Sequence, residues 1–245
     1  MEQLKKNLLK MGASLVGFAK VDGLYKKCEL STLATQDSEK EYFTIPELPF
    51  GISIAIKIPR DIVKGISGGP TIDYYNTYYN LNEKLDSLAL YCEQYLTSKG
   101  YKAYAQTVES TKEYGIFQTI MPHKTVAVNA GIGWIGKSAL LVTEEFGSAI
   151  RLTSVLTNAA LTTSDKVKEV PCLNCDVCTN ACPAGAISGK VWEKDSDRDH
   201  IFDALKCRKT ARKIAAAAIN KEITLCGKCI EACPYTKRYL NAGNL

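Results

Sequence analysis

The sequence predicts an α/β (α+β) amino-terminal domain followed by a smaller cysteine-rich domain, and three observations predict it. Apolar patterns of helical and strand period alternate through the first two thirds of the 245-residue chain. Eight of its ten cysteines lie after residue 170. Between the two regions runs TNAALTTSDKVKEVP, polar and ending in proline, which reads as a linker. The domains are therefore expected at residues 1–165 and 166–245.

Each element has its own signal. Leu4, Leu8, Leu9 and Met11 stand at helical spacing among lysines, an amphipathic helix that runs into LVGFAKV, a first strand. Prolines bound ISIAIKIP, where Ile52, Ile54, Ile56 and Ile58 alternate with other residues, as in a strand with one buried face. GISGGP is a loop. In the next stretch Tyr75, Tyr78, Leu81, Leu85, Leu88 and Cys92 lie three or four apart and Gly100 supplies the stop, which makes a long helix. YKAYAQTV reads as a strand, and KTVAVNA and AIRLTSVLT as strands flanking the glycine-rich NAGIGWIGKSALL. Behind the linker, DHIFDALKCRKTARKIAAAAIN forms one helix between two cysteine groups.

The cysteine spacing carries the chemistry. Cys172, Cys175, Cys178 and Cys182, followed by Pro183, spell C-x2-C-x2-C-x3-C-P. This is the bacterial ferredoxin run, in which three close thiolates reach one cubane and the fourth ligates another. Zinc is the competing reading, but it rarely takes a fourth cysteine at this spacing before a proline. Cys226, Cys229 and Cys233, with Pro234, form C-x2-C-x3-C-P, one cysteine short. Two cubanes need eight thiolates, the runs supply seven, and Cys207 between them is the natural eighth. Exchanging the pre-proline cysteines gives Cys172, Cys175, Cys178 and Cys233 to the first 4Fe-4S cluster. Cys182, Cys207, Cys226 and Cys229 then hold the second. Cys28, Cys92 and His200 are the alternatives for the eighth position; Cys28 and Cys92 read as small buried hydrophobes.

Bulk properties narrow the setting. No apolar run is long enough for a membrane span and no signal-peptide core is present, so a cytoplasmic protein is expected. The net charge of +5 is mild, and the densest basic stretch, KCRKTARK, reads as a solvated helix face. That argues against nucleic acid and suits a small acidic electron carrier equally well.

Gly131, Gly136, Lys137 and Ser138 match the phosphate-loop pattern G-x-x-x-x-G-K-[ST], and Gly131, Gly133 and Gly136 match G-x-G-x-x-G. Phosphate binding needs a helix after the loop. Only nine residues separate Lys137 from Gly147, and a β-rich run follows. Bulky Ile132, Trp134 and Ile135 fill the loop, and no acidic residue stands at the required distance. Both matches read as coincidences.

The segment AGIGWIGKSALLVTEEFGSAIRLTSVLT resembles instead the signature of epoxyqueuosine reductases and of the related corrinoid-dependent reductive dehalogenases. In the reductases an A-G-x-G-W-x-G-K-[NS] loop precedes a ferredoxin module. GASLVGFA, ISIAIKIP, DYYNTYYNLNEKLD and the lone Cys207 agree in order, so the resemblance covers residues 1 to about 240. It implies a nitroreductase-like amino-terminal domain, a 2x[4Fe-4S] ferredoxin-type domain, and a cobalamin between them reduced by the nearer cluster. Gly131, Gly133, Trp134, Gly136 and Lys137 would then pack near the cofactor or form a hinge. Equally, the loop is a structural turn whose glycines permit positive φ and whose Trp134 anchors a core.

The departures bear on substrate. Epoxyqueuosine reductases carry a proton-donating aspartate in a V-D-T type motif, where YKAYAQTVES has Thr107 and Val108, with Glu109 close by. The family's helical repeats that help hold tRNA would lie beyond Leu245. A substrate other than tRNA is expected. Tyr78, Tyr79, Tyr114, His123 and Lys124 are candidate proton donors, with His123 able to donate at neutral pH and Tyr114 next. Together these predict a reductase that takes electrons from a ferredoxin- or flavodoxin-type protein and passes them to a cofactor, cobalamin among them, or to a small substrate. The competing expectation is an electron-transfer protein without a catalytic site of its own.

Overall fold

Alternation of large and small side chains builds the central sheet. The computed structural model describes residues 1–25, 32–34, 42–44, 48–111, 117, 119–163, 170–193 and 197–242. In chain order the elements are α1 (Glu2–Lys10), β1 (Leu15–Lys20), β2 (Thr32–Ala34), β3 (Tyr42–Thr44), β4 (Phe50–Lys57), α2 (Arg60–Gly65) and α3 (Ile72–Thr97). Then come β5 (Ala103–Ala105), α4 (His123–Asn129), β6 (Trp134–Ile135), β7 (Leu141–Val142) and β8 (Ile150–Thr157). The cysteine-rich part holds α5 (Val177–Ala181), α6 (Ala204–Ile219), α7 (Lys228–Ala232) and α8 (Pro234–Asn241). None of these helices is long and apolar enough to cross a membrane.

The chain divides into two units, and both are discontinuous. One comprises Met1–Ile56, Leu81–Ile132 and Arg151–Val167; the other comprises Lys57–Asn80, Gly133–Ile150 and Lys168–Leu245. The cysteine-rich region thus groups with two earlier segments that a linear boundary at 165/166 does not anticipate.

In the first unit, a four-stranded sheet runs in the order β1-β4-β8-β5. β1 pairs antiparallel with β4 (Phe18 opposite Ile52), and β5 antiparallel with β8 (Tyr104 opposite Leu156). Period-two alternation sends Phe18, Ile52, Ile54 and Val155 to one face, where they meet Leu4 and Leu8 of α1 and Leu85, Leu88 and Cys92 of α3. Each fully buried leucine there contributes roughly 2 kcal/mol. Ala19, Tyr104 and Leu156 point to the other face, toward Val126 and Ala130. β2 and β3 form a separate antiparallel pair.

Two expectations need correction here. β4 is buried on both faces, from Gly51 to Ile56, not one. Its intervening residues Gly51, Ser53 and Ala55 are small, which lets α4 approach; a Cβ on Gly51 would lie 2.7 Å from Val126 Cγ1. And KTVAVNA is helix α4, not a strand. Its β-branched residues favour a strand locally, but Pro122 starts a helix whose Val126 and Ala127 are buried, and tertiary burial overrides propensity. The helix between the cysteine groups also starts later than the sequence implies, at Ala204, where the Asp203 side chain caps Lys206 N.

In the second unit, α5 packs on α7, and α7 on α8 and α2. The buried Tyr239 hydroxyl donates to Ile58 O at 3.0 Å, and its ring meets Phe146 edge-on at 5.3 Å. Ser148 N donates to Thr236 Oγ1 at 3.1 Å, tying the loop before β8 to α8.

Candidate functional site

The two C-x2-C-x3-C-P runs fold alike: each places its second cysteine, Cys178 or Cys229, in a short helix, α5 or α7, that ends just before the third, and the two helices pack together. This gathers eight thiols of the second unit. All the described cysteines are free. Burial raises the Cys178 pKa, and the proximity of Cys233, Cys172 and Cys175 raises it further. Cys207 is pushed up to about 11 by burial, then by Cys182, Cys226 and Asp203. Cys229 is raised by burial and by Cys226, Cys207, Cys178 and Cys182. So Cys172, Cys175, Cys178 and Cys233 lie together, as do Cys182, Cys207, Cys226 and Cys229, and the two sets meet at Cys178 and Cys229. Thiolates crowded and desolvated in this way repel one another unless positive charge lies among them, which suits iron. Two sulfurs also have N–H donors aimed at them: Trp134 Nε1 lies 3.5 Å from Cys172 Sγ, and Ala186 N lies 3.4 Å from Cys182 Sγ. Among the described residues, no three His, Cys, Asp or Glu side chains form a group fit to hold a single metal ion. Around one zinc, sulfurs 2.3 Å from the metal would stand about 4 Å apart; a cubane spreads its four ligands more widely. Cys92 lies in the core of the first unit, apart from these sets, and Cys28 falls outside the described residues.

The glycine-rich segment reverses the order a phosphate loop needs. A helix, α4, precedes it, and a hairpin, β6–β7, follows. Gly131, at φ 69°, ends α4 with its N–H on Val128 O at 3.2 Å, while Ile132 N reaches Ala127 O at 3.1 Å. That double bond is the Schellman stop, which favours glycine. Gly133 is required by close approach: a Cβ there would lie 2.1 Å from Val142 O. Gly136 lies beside the thiols, its Cβ position 3.6 Å from Cys172 Sγ. Trp134 is buried and meets Tyr235 edge-on at 4.9 Å. Lys137 is only 6% exposed.

The first unit holds a cavity of about 550 Å³ lined by Asn82, Asp86, Gln106, His123, Arg151 and Thr153, among others. Arg151 is oriented by Asn82 Oδ1, which accepts from Nε at 3.1 Å and Nη2 at 2.6 Å. Ser154 Oγ accepts from Gln106 Nε2 at 2.6 Å and bonds His123 Nδ1 at 2.8 Å. Burial, then the Arg151 and Lys124 charges, lower the His123 pKa to about 4. The lowered pKa leaves the ring neutral at pH 7. Desolvation raises the pKa of Asp86, with Glu109 adding to it and the Val108 N–H (3.1 Å) opposing it.

Among the described residues, His123 alone of the candidate donors lines this cavity. Tyr78 and Tyr79 belong to the second unit, where their rings meet edge-on at 5.4 Å. Tyr114 lies outside the described residues. Asn82, Asp86, Gln106, Arg151 and Ser154 were not legible as a set, because they come from α3, the end of β5 and β8 and share no motif.

Comparison with known proteins agrees with this geometry. Residues 171–236 match the 4Fe-4S double cluster binding domain. An epoxyqueuosine reductase from Synechocystis sp. is 28% identical over 168 residues, covering 68% of this chain and 53% of that protein. The matched stretch spans 40% and 53% of the length of two of these curated relatives, and no more than 39% of several others. Among solved structures, an epoxyqueuosine reductase with an epoxyqueuosine-modified tRNA-Tyr stem loop matches with TM-score 0.59 at 23% identity, covering 96% of this chain and 65% of that one. A reductive dehalogenase, described with a mechanism for B12-dependent dehalogenation, matches with TM-score 0.72 at 16% identity, covering 95% and 31%. The chain thus carries a 4Fe-4S double cluster binding domain over residues 171–236, and its mixed helix-and-sheet fold and sequence resemble those of epoxyqueuosine reductases.

Proposed function

We propose that the chain is a two-cluster reductase that passes electrons to a cofactor or small substrate served by the amino-terminal part of the fold. One observation carries the reading: eight thiols gathered as two sets of four that meet at Cys178 and Cys229. Cys172, Cys175, Cys178 and Cys233 hold one 4Fe-4S cluster; Cys182, Cys207, Cys226 and Cys229 hold the other. The clusters supply one-electron steps at potentials tuned by burial and by N–H donors to sulfur. Trp134 does that tuning at Cys172.

At the substrate end, Arg151, locked by Asn82, orients an anionic or polar group, and the neutral His123–Ser154–Gln106 chain offers hydrogen bonds without charge. Asp86, its pKa raised, holds a proton more readily than an exposed carboxyl does. A cavity of this size suits a small molecule rather than an RNA stem loop.

Cobalamin is the acceptor suggested by the B12-dependent relative. When bound, it supplies a cobalt centre that takes electrons one at a time. Gly131, Gly133, Trp134, Gly136 and Lys137 are the residues proposed to hold it. Lys137 fits best: it is buried, makes no ion pair among the described residues, and cobalamin carries a phosphate. Protein reconstituted anaerobically with iron and sulfide, then mixed with cobalamin, should shift the corrinoid's visible spectrum to the base-off form. Binding of neither corrinoid nor flavin would favour an electron-transfer protein without a catalytic site.

A further inference from the structure

We infer that the outward face of α6 is the docking surface for an acidic, one-electron carrier protein of the ferredoxin type, which delivers electrons to the cluster that Cys207 helps to hold. This rests on the two-cluster reading above. α6 carries five basic side chains and no acidic one, on a chain of net charge +5. Helical spacing sorts its residues. Cys207, Ala211, Ala215 and Ile219 follow one side, and the last three are buried. Leu205, Lys209 and Lys213, four apart, form an exposed stripe on another side, and Leu205 keeps 54% of its surface open. An apolar contact flanked by like charges is what a transient, electrostatically steered complex needs. The nearby acids are engaged at the helix ends. Asp203 caps Lys206 N at 2.9 Å, and Glu222 pairs with Arg212 at 2.8 Å.

Position gives the relay a direction. Cys207 lies among Cys182 and Cys226, so its thiol set is about one helix width, ~10 Å, from the lysine stripe. The other set has Cys172 against Trp134 and close to Gly136 of the glycine loop. Electrons therefore enter through α6 and leave by the loop. The reduced carrier loses one electron, and the centre at Cys182, Cys207, Cys226 and Cys229 gains it, with no bond made or broken. A basic helix also suits a phosphate backbone. The leucine within the stripe and the thiol ligand on the same helix favour a protein carrier.

The test uses the anaerobically reconstituted chain with two probes, an oxidised acidic ferredoxin and an RNA stem loop, titrated calorimetrically at low and high salt. Lys209→Glu with Lys213→Glu should weaken ferredoxin binding about tenfold at low salt. Lys6→Glu with Lys10→Glu, on the exposed side of α1, should change it by less than about twofold. Equal loss in both variants, no ferredoxin binding at all, or preferential stem-loop binding abolished by the α6 variant would each overturn the docking surface. Dithionite bleaching of the visible clusters, read in the same samples, separates the two levels. Clusters that still bleach while ferredoxin ignores α6 refute the surface alone, whereas absent clusters refute the relay itself.

Discussion

Trp134→Phe removes the indole N–H donor and shrinks a buried ring. The ring that packs edge-on against Tyr235 at 4.9 Å is retained in smaller form, while the Nε1–H that reaches Cys172 Sγ at 3.5 Å is lost. A donor to sulfur favours the more negative, reduced cluster, so its removal must lower the potential. A hydrogen bond is worth about 1 kcal/mol net. For a one-electron couple, where a tenfold change corresponds to about 59 mV, this converts to a fall of roughly 40 mV. The assay is an anaerobic redox titration followed by electron paramagnetic resonance. One cluster should fall by about that amount and the other should hold its value, because the donor faces only the set containing Cys172. Equal movement of both clusters, or a rise in either, would refute the assignment of Cys172 and the reasoning from the bond.

Three further outcomes follow from the geometry. Cys207→Ala should leave about four irons per chain instead of about eight, measured by iron analysis, and retention of both clusters would remove Cys207 from the ligand set. Gly133→Ala forces a Cβ to 2.1 Å from Val142 O and should cost about 1–3 kcal/mol, lowering Tm by roughly 2–10 °C; Gly65→Ala, with open space around it, should not lower Tm. His123, with its pKa lowered to about 4, stays neutral where the unfolded chain, near 6.5, is already protonating. Its contribution to stability is thus full above pH 6.5 and is lost as pH falls toward 4. Because the ring borders a cavity open to water, that contribution is about 1–2 kcal/mol rather than the full shift. The chain has two histidines, so nuclear magnetic resonance titration, with the signal assigned by its loss in His123→Gln, reads the value directly; a midpoint near 6.5 would contradict the lowered pKa.

The sequence was most legible where chemistry constrains spacing. Cysteine intervals named the ferredoxin-type module because few other sites use that run before a proline, and the glycine–tryptophan loop added the likeness to epoxyqueuosine reductases. Local patterns also gave α1 and α3, where one face alone meets the core, and β8, which is buried on both faces. They failed where burial overrode propensity. The β-branched Thr125, Val126 and Val128 read as a strand, yet Pro122 and packing against the small residues of β4 make α4 a helix. That misreading hid the true order around the glycines, a helix and then a hairpin. The cavity was invisible for a different reason: Asp86, Gln106, His123 and Arg151 come from four separate elements or loops, and no interval in the sequence links them.

The central claim is a pair of 4Fe-4S clusters on Cys172, Cys175, Cys178, Cys233 and Cys182, Cys207, Cys226, Cys229. Mössbauer spectroscopy of protein reconstituted with isotopically enriched iron tests it most directly. About eight irons per chain are expected, all in cubane-type spectra; iron sufficient for a single cluster, or zinc in place of iron, would contradict the two-cluster assignment.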